Sequence, residues 1–135
     1  MSKTKDKIEE IQQYLFELGS FMPSSFEEYQ QNIEKRAACE RYFEKIIEAV
    51  IDVAFLLIKE KKLRIPEEDK ETFDILVEEE IISTKLATRL KDAKGMRNIL
   101  SHQYSHIDDE VVFEAITEEL EKDVKEFLES IERIK

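Results

Sequence analysis

Glycine and proline are nearly missing from this chain, with two of each among 135 residues. Strands and tight turns draw on both for punctuation. Their scarcity disfavours a sheet-rich fold, and the plentiful Glu, Lys, Leu, Ile and Ala favour helices. The single cysteine, Cys39, has no partner for an internal disulfide, which fits a reducing compartment and points to the cytoplasm. Long apolar runs are also absent. The most apolar stretch, residues 49–58, contains Asp52 and is too short to span a bilayer, so no membrane association is expected. Residues 1–20 lack the uninterrupted apolar core and cleavage site of a signal peptide. Basic charge is in deficit as well: 21 Lys and Arg against 32 Asp and Glu leave a net charge of −11. Such a chain lacks the cationic footprint for indiscriminate nucleic-acid binding. If RNA is its substrate, contact must come through a local basic site or a partner that carries the cations. Acidic runs such as Glu67-Glu68-Asp69 and Glu78-Glu79-Glu80 read as solvated helix faces.

What is present is helical periodicity on a length that suits one domain with a real core. Lys3–Leu18 reads as an amphipathic helix with Ile8, Ile11, Leu15 and Leu18 on one stripe, and Gly19 suits its C-terminal cap. Ser25-Phe26-Glu27-Glu28 is a capping-box signature. It opens a short helical piece near Phe26–Gln31, followed by a long helix from about Glu34 to Lys61. The stripe of that long helix is Cys39, Phe43, Ile46, Val50, Val53 and Leu57. Pro66 is expected at or near the start of a third helix that buries Phe73, Leu76 and Val77. Ser83 caps a fourth, through about Ser101. Asp108 caps a fifth, on which Phe113, Ile116, Leu120, Val124, Phe127, Ile131 and Ile134 keep a helical spacing. The architecture expected is all-α: a bundle of four long helices with one or two short ones.

One stretch stands apart. Gly95-Met96-Arg97-Asn98-Ile99-Leu100-Ser101-His102-Gln103-Tyr104-Ser105-His106 holds one of the two glycines and both histidines. Arginine carries a permanent charge on a fork that matches phosphate oxygens, and histidine exchanges a proton near neutral pH. The stripe of the fourth helix runs Leu86, Leu90, Ala93, then Arg97 where an apolar residue is expected, then Leu100. An arginine on a packing stripe must either pair with a core carboxylate, for which Asp52 is a candidate, or line a cleft. Arg97 and His102 lie about 140° apart on a straight helix. They converge through the arginine's reach, a frayed helix end or a second subunit. Asn98 and His102, at i and i+4, share a face.

These residues resemble the HEPN ribonucleases, whose R-x4-H-x-Tyr form is matched by Arg97, His102 and Tyr104. The wider context resembles the HepT toxin branch. Arg36-Ala37-Ala38-Cys39-Glu40-Arg41 leads into Ile47-Glu48-Ala49-Val50-Ile51-Asp52-Val53-Ala54, then Phe73-Asp74-Ile75-Leu76, Leu86-Ala87 and Gly95-Met96-Arg97-Asn98. The likeness covers about residues 33–131 of what reads as one domain over 1–135. Two features depart from it: Ser101 stands where relatives often carry an apolar residue, and His106 is an extra histidine.

The resemblance implies a HEPN-type helical bundle that forms a homodimer with the two Arg97–His102 sites at one cleft. It implies a toxin that cuts RNA, partnered by a nucleotidyltransferase antitoxin of the MNT type that adds AMP to Tyr104. His102 would act as general base on a ribose 2′-hydroxyl or as acid toward the leaving oxygen. Arg97 would stabilise phosphate charge, with Asn98, Asp52 and Glu40 as supporting residues. The motif lacks the clustered carboxylates of a two-metal nuclease, so neither metal nor cofactor is expected. Plainer readings stand beside these. His102 can be a helix-terminal histidine held by the dipole, and Tyr104 can be interface packing. Asp52 and Glu40 can sit on a solvated stripe or pair with an arginine, and Cys39 fits a core position. The whole domain can also be a non-catalytic dimeric docking module for a nucleotidyltransferase.

Overall fold

The structure, a computed structural model, describes residues 3–102 and 108–134, the side chain of His102 excepted. Among the described residues every regular element is helical: α1 (Lys3–Gly19), α2 (Phe26–Gln31), α3 (Ile33–Glu60), α4 (Asp69–Glu78), α5 (Thr84–His102), α6 (Asp109–Glu114), a π-helical turn (Ala115–Glu119) and α7 (Leu120–Glu132). None of these helices is long and apolar enough to cross a membrane.

The centre of the bundle is α3. Asn32 starts it, its side-chain oxygen accepting from the Lys35 N–H at 2.9 Å. The expected stripe from Cys39 to Leu57 is buried, and so are Ile47, Ala49, Ile51, Ala54 and Ile58. An apolar stripe this wide is covered on several sides. Packing against α3 come α1, α4 and α5, and Phe73 of α4 meets Phe127 of α7 edge-on at 6.4 Å between ring centres. Polar clamps hold the layers in register. The Thr4 hydroxyl donates to Glu60. Arg89 of α5 forks to Asp123 and Glu126 of α7, both at 2.8 Å. Lys91 pairs with Asp74 of α4.

Two local expectations are corrected, and a third is narrowed from at or near a helix start to near it. Gly19 is not a left-handed cap: α1 includes it with no positive φ, and the helix closes through tight bonds from Ser20 N to Glu17 O and Phe21 N to Leu18 O. Pro66 does not open α4, which starts three residues later at Asp69 after an extended Glu68. The last helix is not continuous. The Leu120 N–H reaches Ala115 O across five residues, so one extra residue is wound into the turn. Ile116, Leu120 and Val124 are all buried across this step. The left-handed positions occur instead at Lys62 (φ 56°) and Glu80 (φ 58°). There Leu63 N bonds back to Ile58 O and Ile81 N to Leu76 O, ending α3 and α4 in the Schellman manner.

Candidate active site

The fifth helix has the opposite charge to the rest of the chain. It carries Lys85, Arg89, Lys91, Lys94 and Arg97 against the single acid Asp92. Two of these cations are used up by the clamps to α7 and α4. Lys94 and Arg97, and the exposed Lys85, have no counter-ion among the described residues. Lys94 is only 8 % exposed. Arg97 is half-buried, and its Nε is closed off from water with no hydrogen-bond partner among the described residues. A buried N–H without an acceptor costs about 1–3 kcal/mol, and more on a charged group. In a chain with 32 acidic residues, an arginine without a counter-ion among the described residues, whose terminal guanidinium nitrogens are not among the sealed atoms, is suited to an anion brought from outside.

The elements explain how it gets there. The face of α5 turned to the core runs Leu86 and Leu90, both buried, then Ala93, Met96 and Leu100 packed against the core, with Lys94 buried and Arg97 half-buried beside them. At its far end the Ser101 hydroxyl donates to Glu44 of α3 at 2.6 Å. Beyond the next loop, Asp109 at the head of α6 accepts from Arg36 of α3 at 2.7 Å. The two flanks of the R-x4-H-x-Tyr segment are thus both tied to the first half of α3. α5 is helical through His102. That removes helix fraying as the route to convergence and leaves the arginine's reach or a second chain. Asn98 is half-buried one turn before His102. Tyr104 and His106 lie outside the described residues.

The remaining candidates sit elsewhere on α3. The Glu40 carboxylate accepts from the Tyr29 hydroxyl at 2.7 Å and from Arg36 Nε at 3.1 Å. Burial first, then this carboxylate, pushes the Tyr29 hydroxyl well above its ordinary pKa. Asp52 faces α1, 3.4 Å from Lys7 Nζ, with its side chain 43 % exposed. It is therefore paired with a lysine and not with Arg97, and it lies eight residues, about 12 Å of helix, from Glu44. Cys39 is fully buried with its thiol on Phe21 O at 3.2 Å. Among the described residues no group of three His, Cys, Asp or Glu side chains is placed to hold a metal ion. Lys94 was not anticipated. It lies four residues after Leu90 and three before Arg97, beside Ala93, which packs against the core.

The family model described as Ribonuclease HepT-like matches residues 7–131. A tRNA nuclease HepT of Aphanizomenon flos-aquae is 31 % identical over 111 residues, 82 % of this chain and 76 % of that protein. An mRNA nuclease HepT of Shewanella oneidensis is 30 % identical over 88 residues, 65 % of each chain. In three dimensions the chain superposes on the tri-AMPylated HEPN toxin of Shewanella oneidensis, solved in complex with its MNT antitoxin. The TM-score is 0.90 at 22 % identity, over 98 % of this chain and 99 % of that one.

Proposed function

Since this chain belongs to the HepT-like ribonuclease family, we propose that it is the toxin of a toxin–antitoxin pair, a metal-independent RNA endonuclease acting from a single domain in the cytoplasm. Arg97 and His102 form its reactive pair, and two copies join as a homodimer at the cleft. The observation that carries this reading is Arg97, half-buried and without a counter-ion among the described residues, five residues before His102 on the one basic helix among those described in an acidic chain.

In the reaction the ribose 2′-oxygen bonds to phosphorus while the bond to the 5′-oxygen breaks. His102 takes the 2′ proton or supplies one to the leaving 5′-oxygen. Arg97 faces the phosphoryl oxygens as their charge grows, and a preorganised donor of that kind contributes a factor of about 10²–10³ in rate. Asn98, on the His102 face, orients the imidazole or the phosphate. The 2′,3′-cyclic phosphate that results needs no metal-bound water. AMP placed on Tyr104 by an MNT-type nucleotidyltransferase antitoxin adds a bulky anion two residues from His102, blocking the cleft and repelling RNA. Glu40 and Asp52 act at a distance, by holding α3 against α2, α6 and α1.

The test is cleavage of a single-stranded RNA by the purified chain in EDTA. Arg97→Ala should lose about 10²-fold or more in rate, and a 2′-deoxy sugar at the scissile position should protect the strand. Wild-type rates from Arg97→Ala would overturn the assignment, and loss of cleavage in EDTA would overturn metal independence. A docking module would bind a nucleotidyltransferase and cut nothing under any of these conditions.

A further inference from the structure

Lys94, like Arg97, is a cation of α5 held out of solvent with no counter-ion among the described residues, and the nuclease chemistry described above makes no use of it. We infer that Lys94 is a substrate-binding residue that holds a phosphate of the RNA next to the one being cut. The inference rests on the ribonuclease reading and extends it to the substrate's backbone.

Three observations carry it. The first is burial without compensation. Lys94 is 8 % exposed, in a class of residue almost never buried unless paired. The chain has acid to spare, and it supplies partners to Arg89 and Lys91 on the same helix. Among the described residues it supplies none to Lys94. The second is access. The polar atoms sealed from water without a partner are Thr72 Oγ1 and Arg97 Nε among the described residues, so the Lys94 nitrogen retains a surface on which an anion can sit. The third is placement. Lys94 is three residues before Arg97 and four before Asn98, a neighbour of both on the helix surface. Counting on, Asn98 is four residues before His102, so Lys94, Asn98 and His102 follow one line along the helix. Lys94 and His102 are eight residues apart, about 12 Å of rise, too far for both to act on the same phosphate. Lysine acts on phosphate as a point charge on a flexible stem, which fits gripping the backbone without regard to base.

A lysine that only fills space makes different predictions. Removing a buried, unpaired charge in favour of an apolar chain of similar volume leaves stability equal or higher. A packing role would lower it.

The experiment uses His102→Ala as an RNA-binding form that does not cut. Its affinity for a single-stranded RNA is measured over a range of salt, with and without Lys94→Met. The expected result is weaker binding to all sequences and a salt slope reduced by about 0.7–1, the signature of one lost phosphate contact. The melting temperature of Lys94→Met should be unchanged or raised, and Lys94→Arg should restore the slope. If Lys94→Met fails to fold, Lys94→Gln and Lys94→Arg are compared in the same way. An unchanged slope with a lowered melting temperature would overturn the Lys94 assignment and leave the nuclease reading intact. If the wild-type chain neither binds nor cuts RNA, the nuclease reading falls and Lys94 falls with it.

Discussion

At the scale of single residues, most side chains here have the partner their chemistry asks for. Glu40 is shared by Tyr29 and Arg36, Asp52 answers Lys7, and Ser101 reaches Glu44. Among the described residues the cations held out of solvent without a counter-ion include Lys94 and Arg97, which lie one helical turn apart. Sites that must receive a ligand are where a fold tolerates an unsatisfied group. Cys39 is the opposite case. Burial pushes its thiol from an ordinary value near 9 up to about 11, so the folded chain keeps it protonated where the unfolded chain does not. Since the folded pKa is the higher one, this contribution to stability is complete below pH 9 and is lost as pH rises toward 11. Native protein at pH 8 should therefore resist alkylation at Cys39, and protein unfolded in urea should react at once. Rapid labelling of the native form would show that the thiol is not sealed by Phe21 and the core.

At the scale of elements, the ends of α3 and α4 are the points of backbone strain. Lys62 and Glu80 adopt left-handed φ, which costs a side-chain-bearing residue roughly 1–2 kcal/mol. Glycine relieves that cost and gives some back as entropy of the unfolded chain. Lys62→Gly and Glu80→Gly should each stabilise the protein by about 0.5–1 kcal/mol, read as a rise of a few degrees in melting temperature. A fall in either would mean that the side chain makes a contact worth more than the strain. The same elements show what periodicity reveals and what it hides. The stripe of α3 and the caps at Ser25, Ser83 and Asp108 follow from local chemistry, and the apolar pattern alone gives the helices within a few residues. The π turn at Ala115–Glu119 does not announce itself. Residues 116, 120 and 124 keep helical spacing on either reading, and only tertiary packing decides where the extra residue is wound in. Pro66 is permitted at the first helical position but does not compel a helix there, so α4 starts near it, at Asp69.

Within the proposed site, the motif points to Arg97 and His102, and nothing in the sequence pattern points to the buried Lys94 beside them. Ala93 packs against the core as its stripe predicts, but a hydrophobicity pattern passes over the neighbouring Lys94, whose burial comes only from tertiary packing. Asp52 attracted notice by standing in an apolar run, yet its position faces α1 and Lys7. The apolar run around it is wide because α3 is covered on several sides, and a wide stripe has edges where a carboxylate reaches water.

At the scale of the whole molecule, charge sets the terms. A net charge of −11 repels RNA at long range, so affinity must come from the short basic stretch of α5 and from a second copy of it across the proposed dimer. Control by an added anion fits this arrangement, because a site with so few cations is silenced by occupying them. Co-production with an MNT-type nucleotidyltransferase should give chain whose intact mass is raised by whole AMP units on the peptide holding Tyr104. An unchanged mass would mean control by complex formation alone.

The central claim is that the end of α5 is a nuclease centre built on Arg97 and His102. The most direct test is the rate of RNA cleavage by His102→Ala beside the wild-type chain, both free of any partner and both shown to be folded by thermal unfolding. The account predicts that the variant melts like the wild type and loses activity by about 10²-fold or more. A folded His102→Ala protein that cuts RNA at the wild-type rate would contradict it.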